Sequence, residues 1–187
     1  MPEPFLMAVE DVFPRKPGRQ VLATGCVERG RVRPGDEVQL VGAGGGATVA
    51  VVAVEVGRVP VREAGAGTNV AVQLPASVSG SVARGQVLAA PGSVRSCTGF
   101  TADLTPMPEE HGGAEIRTGT VLRFHVLTAV VLGTVTLPEG TDVLHPVHQG
   151  TVTIALESPV ALEPGRRFAY RHHGRAAGQG TVGRLLP

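Results

Sequence analysis

Pro4-Phe5-Leu6-Met7-Ala8-Val9-Glu10-Asp11-Val12-Phe13 and, shortly after it, Arg19-Gln20-Val21-Leu22-Ala23-Thr24-Gly25-Cys26-Val27-Glu28-Arg29-Gly30 decide how this chain folds. The first run alternates, with Leu6 and Ala8 on one face and Phe5, Met7 and Val9 on the other. Nearly every position is apolar, so both faces of this strand are expected to be covered for part of its length. The run ends on two adjacent carboxylates, Glu10 and Asp11, and a ring, Phe13. Pro14, Pro17 and Gly18 break the strand and make a loop. The second run alternates through Val21, Ala23 and Val27, and Gly30 turns it. The result is a β-unit with two acids and an aromatic at its rim.

The rest of the chain repeats this grammar. Helical periodicity is almost absent, and short β-branched runs alternate with Gly, Pro, Asp or Ser. Val38–Val41, Thr48–Val56, Asn69–Leu74 and Gln86–Ala89 read as strands, with a weak helical turn expected within Ser77–Arg84. Pro91–Ser96 reads as a linker. Strands then resume at Thr98–Leu104, Thr120–Leu127, Val130–Leu137, Thr151–Leu156, Arg167–Arg171 and Gly180–Leu186, and Pro106–Gly113 is a loop. Many short strands with turn signals between them imply a barrel or sandwich. The chain divides into two all-β modules, residues 1–92 and 96–187. Each has roughly 90 residues and buries little more than ~60% of its unfolded surface, so the two are expected to share stability by packing on each other. Gly42–Gly46 is read as a hairpin tip and not a phosphate loop, because no helix pattern follows it.

Composition narrows the function classes. Of the 187 residues, 42% are hydrophobic and 18% charged, which suits a packed globular protein. The formal net charge of +1 gives no global attraction to nucleic acid, so an RNA contact needs a local basic patch. No apolar run approaches the roughly 20 residues of a membrane helix, and no signal segment opens the chain. A cytoplasmic location and no membrane partner are therefore expected. Cys26 and Cys97 are far apart and read as two free, buried, reduced thiols.

Nucleotide and catalytic motifs are missing from this sequence. A phosphate-binding loop needs Gly-Lys-Ser/Thr, yet Lys16 is the only lysine. Asn69, the only asparagine, is followed by Val70, and none of Asp11, Asp36, Asp103 and Asp142 has glycine three residues on. His145 and His148 straddle Pro146, with no cysteine near to complete a metal site. No Gly-x-Ser-x-Gly elbow occurs. Glu10 and Asp11, adjacent on a strand, point to opposite faces and make a poor acid/base pair. No catalysis, cofactor or metal is expected.

The opening stretch, with Gly65–Leu74, Ala83–Val94, Gly133–Gly140 and Arg167–Val182, resembles the second and third domains of the elongation factor Tu family, without its GTPase domain. The resemblance runs from about Pro4 to Leu185. It implies two packed antiparallel Greek-key β-barrels. In that family the second domain holds the aminoacyl end of a tRNA, and Glu10, Asp11, Phe13 and Asn69 fall at pocket positions. A family histidine falls at Gly57. The third domain departs from the family. Ala114-Glu115-Ile116 stands in place of a stem-contacting Arg-His-Thr run, and Gly119–Phe124 in place of Gly-Tyr-Arg-Pro-Gln-Phe. Losing an arginine from a phosphate contact lowers affinity and salt dependence. Arg171, His172, His173 and Arg175 form either a small basic patch or a solvated hairpin.

Two readings follow. One is an elongation factor Tu-like binder of RNA or an aminoacyl-tRNA end. There Glu10 and Asp11 accept from an amino group or a sugar hydroxyl, and Phe13 stacks on a base or an apolar side chain. The other is a non-catalytic protein-interaction module that contacts translation factors or another protein. If no pocket is present, Glu10 and Asp11 are rim carboxylates and Phe13 is core.

Overall fold

The computed structural model describes residues 2–15 and 20–187. The loop expected at Pro17 and Gly18 lies outside these residues. The fold is all-β: among the described residues there is no α-helix, and the helical pieces are two 3-10 turns, Ala76–Val78 and Glu109–His111. The first of these begins one residue ahead of the expected turn. The chain divides into two compact units, Met1–Arg95 and Ser96–Pro187.

The first unit contains β1 (Leu6–Ala8), β2 (Asp11–Pro14), β3 (Val21–Arg29), β4 (Arg31–Val32), β5 (Glu37–Val41) and β6 (Thr48–Ala50). It continues with β7 (Ala53–Val56), β8 (Val59–Pro60), β9 (Ala64–Gly65), β10 (Asn69–Leu74) and β11 (Val87–Ala89). Nine strands form one curled sheet in the order β6-β5-β11-β1-β3-β10-β7-β8, with β2 also on β3; β4 and β9 pair separately. β6 and β7 sit near opposite ends of that order, yet only Val51 and Val52 join them. The sheet must therefore curl until its ends nearly meet. The peptide N–H groups of these two residues donate to opposite ends of the sheet, Val51 to Asp36 O beside β5 and Val52 to Gln73 O on β10, both at 2.8 Å. This explains why the single strand expected over Thr48–Val56 is two. Gly42–Gly46 forms the tip of the β5–β6 hairpin, as its composition implies.

The single strand expected over Pro4–Phe13 is also two. Phe5, Leu6, Met7, Ala8 and Val9 are all buried, so both faces are covered as the apolar run requires. At Val9 the backbone leaves β3: its N–H donates to Gln86 O and its carbonyl accepts from Gly85 N–H. The register with β3 slips by one residue between Met7↔Val27 and Asp11↔Thr24. Such a bulge re-aims the residues that follow it. The core of this unit gathers Phe5, Met7, Val21, Val27, Val54, Val72, Leu74 and Leu88.

The second unit comprises β12 (Arg95–Pro106), β13 (Val121–Val126), β14 (Ala129–Thr136), β15 (Gly150–Leu162), β16 (Arg167–His172) and β17 (Arg175–Leu185). These close into a six-stranded barrel in the order β12-β15-β14-β13-β16-β17. β12 starts inside the expected linker, and β15 and β17 run longer than their apolar runs. Closure explains the extension, because every strand finds partners on both sides. Phe100, Phe124, Phe168 and Tyr170 fill the barrel, with Phe124 and Phe168 edge to face at 5.6 Å. Gly133, Gly178 and Gly180 make room for these rings: a Cβ at Gly178 would lie 2.3 Å from the Tyr170 hydroxyl.

Gly25 is the tightest point along β3. A Cβ there would lie 2.0 Å from the carbonyl oxygen of Ala8. Gly25→Ala is expected to destabilise the first unit by about 3 kcal/mol, the upper end of overpacking costs. The urea midpoint measures this, and a loss near zero would show that the strands can separate freely there.

Candidate functional site

The register across β2-β3-β10-β7 builds the outer face of the first unit. Residues facing the core on β3 are Val21, Ala23 and Val27, so Leu22, Thr24 and Cys26 face outward. On β10 the outward set is Asn69, Ala71 and Gln73. Pairing sets Asp11, Thr24, Ala71 and Glu55 in one row across four strands, and Phe13, Leu22, Gln73 and Ala53 in the next. The middle residues of the first row are short, and they floor a cleft of about 620 Å³.

Three of the four residues expected at the aminoacyl pocket line this cleft: Glu10, Phe13 and Asn69. Asp11 does not. It is exposed at the start of β2, where its carbonyl accepts from Thr24 Oγ1 at 3.4 Å. Glu10 is exposed, and its backbone is fixed at both ends. Its N–H donates to Thr24 O at 2.8 Å, and its carbonyl accepts from Arg84 Nη1 at 2.8 Å. The Phe13 ring is 51% exposed, so it is not part of the core. Gly57 lines the cleft as well. Gly57 and Arg58, with φ of 57° and 67°, are the two central residues of the β7–β8 hairpin. Positive φ at both positions is the type I′ geometry that favours glycine.

Sequence reasoning missed three charged residues of the cleft: Arg15, Glu55 and Arg58. Arg15 Nη2 donates to Glu55 Oε1 at 2.9 Å, and Glu55 is 8% exposed. The signal for Glu55 was present, since it is the one acid in the valine-rich run from Thr48 to Val56. Arg58 has no ion-pair partner among the described residues.

The second unit carries the expected basic residues at one hairpin. His173 (φ 52°) and Gly174 (φ 76°) form a two-residue turn between His172 and Arg175. Arg171 and Arg175 flank this turn, and both are exposed. The His172 and His173 rings lie 4.0 Å apart. Arg171 also stands directly opposite Arg123 on β13, a pairing not foreseen from the sequence. Like charges opposed across a ladder repel, and neither arginine has a carboxylate partner among the described residues. His125 lies beside them with its Nε2 buried and unpartnered. Burial, then Arg171 and Arg123, hold His125 below the ordinary imidazole value of 6.5. Burial, then His173, does the same to His172.

Fold and sites together define an all-β protein of two strand-built units, with a charged cleft on the first and a basic hairpin face on the second. Residues 93–186 match the family model described as the elongation factor Tu C-terminal domain. The match spans half of the chain, and the chain belongs to that family. It is a translation-factor-like module. The cleft lies before Ser93, outside the matched residues. No helix among the described residues is long and apolar enough to cross a membrane.

The two depressed histidines give a pH dependence with a definite sign. Below about 6.5 the unfolded chain takes up protons that the folded chain resists, so stability falls as the solution is acidified. The melting temperature is expected to drop between pH 7 and pH 5, and His125→Phe to flatten part of that drop. An identical pH profile in this variant would exclude His125 as a cause.

Proposed function

We propose that this chain is a non-catalytic RNA-binding module of the elongation factor Tu type, holding the aminoacyl end of a tRNA in the first-unit cleft. It works in the cytoplasm beside the translation apparatus. The observation that carries the reading is the convergence of Glu10, Phe13 and Asn69 on one cleft of about 620 Å³, from strands far apart in sequence. Each supplies a different chemistry. The Glu10 carboxylate accepts from an ammonium or a ribose hydroxyl. The exposed Phe13 ring offers a stacking platform. The Asn69 amide both donates and accepts. Arg123, Arg171 and Arg175 supply cations for phosphates, and with no carboxylate partner among the described residues they are available to them.

The near-neutral net charge favours a second reading, in which the same surfaces engage a protein. Fluorescence anisotropy with aminoacylated and deacylated tRNA, at low and moderate salt and without nucleotide, separates the two. The proposal expects tighter binding of the charged tRNA that survives added salt. Stacking is worth about 1–3 kcal/mol per base, so Phe13→Ala with Asn69→Ala should weaken binding at least about tenfold. Equal, salt-labile or absent binding of both tRNAs would move the assignment to the protein-interaction reading.

A further inference from the structure

Arg15 and Glu55 belong to opposite sides of a four-strand face. Arg15 directly follows β2 and Glu55 lies on β7, with β3 and β10 between them in the sheet. Their ion pair therefore spans the outward side of β3 and β10, between two residues that line the cleft. The pair is unequal. The Glu55 side chain is 9% exposed and the Arg15 side chain 44%. The contact is single, Nη2 to Oε1, and not the two-bond fork that a carboxylate and a guanidinium can form. The arginine head is already half in water, so it can leave the cleft with little further rehydration. Glu55 cannot leave, and a buried carboxylate stripped of its cation is strongly unfavourable.

We infer that the Arg15–Glu55 ion pair is a displaceable strap over the cleft floor, opened by a ligand that brings its own cationic amino group to Glu55. The inference rests on reading the cleft as a ligand site. A neutral ligand of the same shape would have to strand the Glu55 carboxylate or stop short of the floor. A ligand with an ammonium group exchanges one cation for another and releases Arg15 to solvent. Arg58 and Phe13 stay in place on the rim throughout. The cleft thus selects for a free amino group by competition with the protein's own arginine.

The test uses the full chain and two small probes, L-phenylalaninamide and N-acetyl-L-phenylalaninamide, which share a ring but differ in the ammonium. In proton–nitrogen NMR titrations only the cationic probe should move the Arg15 side-chain N–H and the Glu55 amide. Removing the competitor with Arg15→Ala should tighten that binding by about fivefold, the worth of a partly exposed pair. Glu55→Gln keeps the size of the side chain and should weaken binding about tenfold through loss of a charge-assisted bond. Thermal melts confirm that both variants fold. A response to the neutral probe equal to that of the cation, no response to either, or weaker binding by Arg15→Ala would overturn the strap. Charged tRNA added to the same samples keeps the two readings apart. Binding of tRNA without the amide response overturns the strap alone, and the amide response without tRNA binding overturns the tRNA reading alone.

Discussion

The first unit depends on how much β3 is asked to pair. One strand of nine residues meets β1 and β2 along one edge and β10 along the other. Serving both β1 and β2 requires the one-residue slip at Val9 and Glu10, and the slip brings Ala8 O against Gly25. Only a residue without Cβ fits there. The slip also gives Glu10 its position, with its peptide N–H on Thr24 O while Val9 turns away to Gln86. A geometric necessity of the sheet is thus what lifts a carboxylate to the edge of the cleft.

The cleft then follows from alternation. β3 and β10 place large side chains on the core face, where Val21, Val72 and Leu74 are nearly inaccessible. Their outer face carries Thr24 and Ala71, which leave space, flanked by the longer Phe13 and Glu55. Packing therefore lies on one face of these strands and the open cleft on the other. Residues such as Phe13, Arg58 and Asn69 are open to solvent and carry little of the packing, so their chemistry is free to suit a ligand. Glu55 is the exception, because it is buried and charged, and the structure keeps Arg15 across the cleft to hold it.

Much of this was legible in the sequence, for local reasons. β10 was read with its bounds, Asn69–Leu74, because its alternation is clean and Pro75 ends it. The all-β fold and the Gly42–Gly46 hairpin tip follow from turn residues and short apolar runs. The breaks inside Pro4–Phe13 and Thr48–Val56 were not legible, because they arise from partners distant in sequence: Gln86 for Val9, Asp36 for Val51 and Gln73 for Val52. Phe13 shows the same limit, since an aromatic at a strand end reads equally as core or as rim until the curl of the sheet is known. Glu10 and Asp11 both fall at expected pocket positions, yet as strand neighbours they face opposite ways, and Glu10 alone of the two lines the cleft.

The charged pairs were the least legible, and the reason is physical. An arginine can reach across several strands, so its partner is not fixed by spacing. Arg15 finds Glu55 forty positions away, and Arg123 meets Arg171 at a distance only barrel closure determines. The two cases have opposite outcomes. On the first unit the arginine is neutralised by a carboxylate on the far side of the cleft. On the second, two arginines face each other with no carboxylate partner among the described residues, and burial, then these arginines, hold His125 below its ordinary value. An anion bound there would relieve the repulsion and the arginines' share of the depression, while the share that burial causes would remain. Under the proposed aminoacyl-tRNA reading, an ammonium suits the cleft of the first unit and phosphates suit the hairpin face of the second, each unit matching one chemistry of the ligand by itself.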